Sequence, residues 1–117
     1  MSFVVQNRQS GKITILECAG RIATQEDANH LADAYWEVMQ NSEHVIVNLK
    51  RVTILGSLGL GALILMNQWA AANGKNLKIA SPSGVVREIL DVTRLSDVLS
   101  IYPEEAQALA ALAANAA

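Results

Sequence analysis

The stretch from His44 to Ala72 constrains the fold more than any other part of the chain. His44-Val-Ile-Val-Asn-Leu49 is short, β-branched and bounded by charge on both sides, the pattern of a buried strand. Leu58 to Ala72 holds no charged residue and reads as a helix. The turn between them contains Gly56, Ser57, Gly59 and Gly61. Ser57 thus falls at a helix start, where the first backbone N–H groups have no partner within the helix. Such a position suits a helix cap, and it equally suits a phosphate. The residues alone leave both uses open.

The flanking segments supply a sheet and more helices. Phe3 to Gln9 is a weakly patterned strand and Ile13-Thr-Ile-Leu-Glu-Cys-Ala19 a clearer one; the turn at Ser10-Gly11 lets them pair as a hairpin. Gly20 ends the second. Thr24-Gln-Glu-Asp27 has the form of a helix start, with threonine as cap and acids in the first turn. Ala28, Leu31, Ala32, Tyr35 and Met39 then recur at helical spacing, to about Gln40. Asn73-Gly74 stops the uncharged helix, Leu77 to Ala80 is a short strand, and Ser81-Pro-Ser83 opens a helix whose apolar face is Val85, Val86, Ile89, Leu90 and Val92. Val98 to Ile101 reads as a last strand. Pro103 reads as the first residue of a final helix, with Glu104 and Glu105 in its first turn. The order implies an α/β fold, a four- to five-stranded mixed sheet with helices packed on it, and one domain over residues 1–117.

Several functional classes find no support. There is no basic run or basic-aromatic patch, which argues against a nucleic-acid partner. The longest uncharged run, Val52 to Gly74, is broken by glycines and amides, so direct membrane insertion is not expected. Cys18 is the only cysteine, which fits a reducing compartment; on its strand it reads as a core residue. His30 and His44 have no partners at metal-ligand spacing and read as surface residues, so no metal and no cofactor is expected. The glycines of Gly56 to Gly61 match neither a dinucleotide fingerprint nor a P-loop. No catalytic constellation is present, and an enzyme is not expected.

Taken together, these residues resemble a family. Val45-Ile-Val-Asn-Leu49 followed by Val52-Thr-Ile-Leu-Gly-Ser-Leu-Gly-Leu-Gly-Ala-Leu63 is similar to the core of the STAS domain, the fold of bacterial anti-sigma-factor antagonists. Gly20-Arg-Ile22, Asn73-Gly-Lys-Asn-Leu-Lys-Ile79, Ser81-Pro-Ser83 and the run from Val86 to Tyr102 match its other landmarks in order. The resemblance implies a switch in the bacterial cytoplasm. Its partner is an anti-sigma factor that is also a serine kinase, Ser57 is the phosphorylated residue, and a phosphatase can reverse the change. A homodimer is compatible with it. It also leaves a second role open, a STAS subunit of a membrane transport or sensory complex that needs no phosphorylation.

The chain departs from the family pattern at four positions. Gly56 stands for the acid before the serine, Leu58 for a second Ser or Thr, Ala23 for a frequent acid, and Arg94 for the glycine that closes the late helix. The expected contact surface is Ala23, Gly56, Ser57 and Leu58. The uncharged helix adds to it: Leu60, Leu63, Ile64 and Ala71 form one stripe, and Leu58, Ala62, Leu65, Met66 and Trp69 another. If only the first faces the sheet, Met66 and Trp69 are exposed partner contacts.

Overall fold

The computed structural model describes residues 3–116. Five strands, β1 (Phe3–Ser10), β2 (Ile13–Ile22), β3 (His44–Leu55), β4 (Asn76–Ala80) and β5 (Ile101–Tyr102), lie side by side in sequence order. β1 is antiparallel to β2, and the other three pairings are parallel, so the sheet is mixed. Parallel neighbours need long crossovers. Three helices provide them: α1 (Gln25–Met39), α2 (Ser57–Ala72) and α3 (Gly84–Val92).

The period-2 alternation of the central strands divides the core in two. Leu16, Cys18, Val45, Val47 and Leu49 point to the face covered by α1, α2 and α3, where they meet Leu31, Tyr35, Leu63, Met66, Val86 and Leu90. Ile13, Ile15 and Ile46 point to the opposite face, where the final helix α4 (Glu105–Ala116) lays Ala108 and Leu112 over them. Both faces of β3 are therefore dry, which is why His44 to Leu49 reads as an unbroken run.

The start of α1 is the expected one. Thr24 Oγ1 accepts a hydrogen bond from the Asp27 N–H at 3.1 Å, and the Asp27 carboxylate accepts from the N–H groups of Thr24 and Ala23 at 3.0 Å each. This reciprocal pair fixes the chain as it leaves β2.

Other boundaries differ from expectation. β2 runs on to Ile22 and β3 to Leu55, because Val52 and Leu55 keep the strand's buried row going after exposed Lys50 and Arg51. The last strand is Ile101–Tyr102. Val98 to Ser100 of the expected strand lie outside it, after a 3₁₀ turn at residues 95–97 that follows Arg94, which holds the left-handed conformation itself (φ 63°). α4 begins at Glu105, so Pro103 stands two residues before it; the Glu104 carbonyl accepts from Ala108, and the Glu104 N–H donates to the Gln107 side chain. His44 is buried, with Nδ1 3.1 Å from the Asn76 side-chain amide, and is not a surface residue.

A polar clamp fixes α4. Glu105 accepts from Arg8 at 2.7 Å and from the Asn48 side chain at 2.8 Å, joining α4 to β1 and β3. Partial burial pushes the Glu105 carboxyl up. The hydrogen bonds from Asn48 and Arg8, with Arg8's charge, outweigh that and hold it below the ordinary carboxylate range. A depressed carboxylate contributes stability above its unfolded pKa and loses it as pH falls through the folded one. Urea titrations of wild type and Glu105→Gln should therefore differ at pH 7 and converge in acid. Glu105→Ala should cost about 1–3 kcal/mol at neutral pH, since it leaves the buried Asn48 amide without that acceptor.

Candidate functional site

The site is built where β3 hands over to α2. Gly56 is the N-cap of α2, with extended backbone (φ −84°, ψ 179°), and its N–H donates to the Ile22 carbonyl at 2.9 Å. That bond ties the turn to the last residue of β2, beside Ala23. The Gly56 carbonyl accepts the Leu60 N–H at 3.0 Å and opens the helix. Ser57 is thus the first helical residue rather than the cap, and no side chain caps this helix. Capping does not account for the serine.

The turn is tight because of Gly59. A Cβ there would lie 2.6 Å from Leu55 Cδ1 and 2.8 Å from Ile22 Cγ2. Only a bare backbone lets α2 start so close to the ends of β2 and β3, and that closeness directs Ser57 outward. Ser57 is exposed, and the exposed apolar side chains Leu58 and Leu65 accompany it. A shallow cleft of about 220 Å³ runs between α1 and α2. Its walls include Gln25, Asn29, Ser57, Leu58, Gly61 and Leu65.

The expected contact residues separate into two sets. Ala23, Gly56, Ser57 and Leu58 come together, with Ala23 Cα 3.7 Å from where a Gly56 Cβ would stand. Met66 does not join them: it is fully buried in the larger core. The buried stripe of α2 is Gly59, Ala62, Leu63, Met66 and Ala70, which cuts across both stripes drawn from the sequence. The sheet and α1 together cover more of the helix than one seam. Trp69 is half-buried, its ring edge-on to Trp36 of α1 with centroids 5.1 Å apart, three turns along the helix from Ser57. The α1 residues Gln25 and Asn29 are neighbours of the site that sequence reading missed. The α1 contribution needed the pairing of the two helices.

The cleft is lined by amide, hydroxyl and apolar side chains and by no acid or base. Burial pushes the Cys18 thiol up to about 12, helped by Glu17, so it is an inert core residue. Burial likewise raises the Tyr35 phenol to about 12. Among the described residues no group of three His, Cys, Asp or Glu could hold a metal ion, and no helix is long and apolar enough to cross a membrane.

This strand-turn-helix arrangement on a five-stranded mixed sheet is that of the STAS domain. The profile of that family matches residues 4–108, and the chain belongs to it. Among solved structures it is similar to an anti-sigma factor antagonist from Mycobacterium paratuberculosis, with a TM-score of 0.84, 21% identity and coverage of 94% of this chain and 93% of that one. The antagonist SpoIIAA in its unphosphorylated form gives a TM-score of 0.76 at 16% identity, covering 95% and 97%. A sulfate transporter family protein from Wolinella succinogenes gives 0.75 at 18%, covering 88% and 86%. Comparison with curated protein sequences gives no significant match.

Two substitutions test the geometry of the turn. Gly59→Ala should destabilise by about 1–3 kcal/mol in denaturant titration, because Ile22 and Leu55 must shift to admit the methyl group. Gly56→Asp should fold and gain roughly 0.5 kcal/mol. Its Cβ meets only ordinary contacts at 3.6 Å and beyond, and the carboxylate would cap the uncapped helix.

Proposed function

We propose that this chain is a non-enzymatic interaction switch of the anti-sigma-factor-antagonist type. Its surface around Ser57 binds an anti-sigma factor that is also a serine kinase, in the bacterial cytoplasm, and a phosphoryl group on Ser57 breaks that contact. The observation that carries this reading is the hydroxyl itself. It is exposed on the first turn of α2, is not used as a cap, and is accompanied by exposed Leu58 and Leu65. A polar group accompanied by large apolar side chains suits a partner contact. A phosphate there would place close to two negative charges where a partner docks, while the N-terminus of α2 would tolerate them. A phosphatase would restore binding.

A second reading has its own support. Ala23 and Gly56, adjacent in space, leave the spot beside Ser57 without the acids of the family pattern. That favours a STAS subunit of a transport or sensory complex bound through the same surface without phosphorylation. The fold likeness to the Wolinella transporter-family protein is compatible with it.

Quantitative capture from extract with wild type, Ser57→Ala and Ser57→Asp, with the bound protein identified by mass spectrometry, separates the two. On the switch reading Ser57→Ala retains a kinase-domain partner, and Ser57→Asp loses it by about 100-fold or more, the effect of about 3 kcal/mol for an unpaired desolvated charge. Both variants should melt within about 0.5 kcal/mol of wild type, as at an exposed position. Equal capture by all three proteins would transfer the reading to the transport or sensory subunit.

A further inference from the structure

The sheet has two edges, and they are unequal. β5 is only two residues long, whereas β1 presents eight. Long edge strands are normally blunted by a proline, a bulge, an unpaired charge or a covering element. β1 has none of the first three. Its sequence FVVQNRQS holds no proline, and its register with β2 is unbroken from Phe3↔Gly20 to Ser10↔Ile13. Its single charge, Arg8, is neutralised on the α4 face by Glu17 at 3.1 Å and Glu105 at 2.7 Å. Among the described residues no strand pairs with its outer side.

The hairpin fixes which backbone groups point outward. Ser10 and Ile13 close a two-residue turn whose first residue, Gly11, has φ 62°, the sign required by a type II′ turn. Such a turn closes on a hydrogen-bonded pair, and in an antiparallel ladder these pairs alternate. Ser10, Arg8, Gln6 and Val4 therefore bond to β2, and Phe3, Val5, Asn7 and Gln9 direct their N–H and C=O groups away from the sheet.

We propose that β1 pairs antiparallel with β1 of a second copy, joining two sheets into one of ten strands about a two-fold axis at Gln6. An axis normal to the sheet sets residues of equal parity opposite one another. Centred on Gln6, it pairs Phe3 with Gln9 and Val5 with Asn7 of the other copy, using every outward residue in about eight hydrogen bonds. On the α4 face, Val4 (41% exposed) meets the aliphatic stem of the other Arg8, and Gln6 meets Gln6. No like charges oppose. A centre at Arg8 would set the two guanidinium groups against each other, and centres at Val5 or Asn7 leave outward residues unpaired. Pairing of β1 with β5 of another copy, which would run on into a filament, has only two residues to hold it, so the assembly closes as a dimer. The inference does not depend on the role of Ser57.

Sedimentation equilibrium over a concentration series tests it, with two variants. Asn7→Pro removes an outward N–H and leaves the β2 ladder intact, as proline at an edge allows. It should raise the dimer dissociation constant by about tenfold or more, with an unchanged far-UV spectrum. Gln6→Cys places two sulfurs on the axis, with Cα atoms about 4.5 Å apart in a non-hydrogen-bonded pair, within disulfide range. Oxidation should link it covalently at twice the chain mass, whereas Gln9→Cys, which faces Phe3, should not link. Wild type that stays monomeric to millimolar concentration overturns the proposal. So does a dimer that survives Asn7→Pro unchanged, or one in which Gln6→Cys fails to cross-link.

Discussion

The burial of β3 on both faces is the constraint on which the rest depends. From His44 to Leu49 every side chain is buried, and alternate residues enter different cores. A slip of one residue would exchange Val45, Val47 and Leu49 with the row containing His44, Ile46 and Asn48. That second row holds two polar groups, and each is satisfied only in the observed register. His44 meets Asn76, and Asn48 donates to Glu105 while accepting from the Lys50 N–H. Polar satisfaction thereby reinforces what hydrophobic alternation begins. Beyond Leu49 the same strand is covered only at Val52 and Leu55, so it reaches the turn with Thr53 and Ile54 exposed. The rigid half of β3 positions the open half, and the open half positions Ser57.

The legible parts of this fold were those with strong local chemistry. The capping box at Thr24 and Asp27 needs four residues and no tertiary information, and it stands as read. The buried run of β3, the glycine turn and the continuous helix after it were equally plain, and their order implied the sheet. The uncharged α2 was the opposite case. A helix apolar all round carries no contrast between faces, so no stripe in its sequence marks the core side. Gly59 belongs to the buried stripe because α2 starts against Ile22 and Leu55, a contact between residues up to 37 positions apart in the chain (59 − 22). Met66 was misjudged for the same reason. The two-residue β5 and the left-handed Arg94 lie below what periodicity can resolve.

The position of Ser57 at the first helical residue changes what can happen chemically there. A cap side chain is committed to the backbone, and modifying it sacrifices helix stability. Here the capping position belongs to Gly56, whose backbone extends without any side-chain bond, and the Ser57 hydroxyl is uncommitted. A change of charge at Ser57 therefore acts on whatever approaches from outside and not on the integrity of α2. The helix N-terminus favours the added charge. A phosphoryl group added at Ser57 would therefore leave the helix intact.

The chemistry surrounding that hydroxyl also limits what could bind there. The nearest acid of the α1 cap, Asp27, is buried and accepts from the N–H groups of Ala23 and Thr24. Its carboxylate is committed to holding the chain. Ala23 and Gly56 add no charge, so the lining of the cleft beside Ser57 presents Leu58 and Leu65 with the amides of Gln25 and Asn29. A partner complementary to it presents an apolar centre and hydrogen-bonding rim rather than a basic patch. Attraction between opposite surface charges weakens as salt shortens the screening length, whereas apolar burial does not. Binding at this surface should accordingly keep its affinity within about threefold between about 50 and 500 mM salt. Restoring acids by Gly56→Asp and Ala23→Glu should introduce a salt dependence toward any partner with a basic docking face. A steep salt dependence in the wild type would mean instead that the partner grips charges elsewhere on the chain, and that Ser57 lies at the margin of the contact.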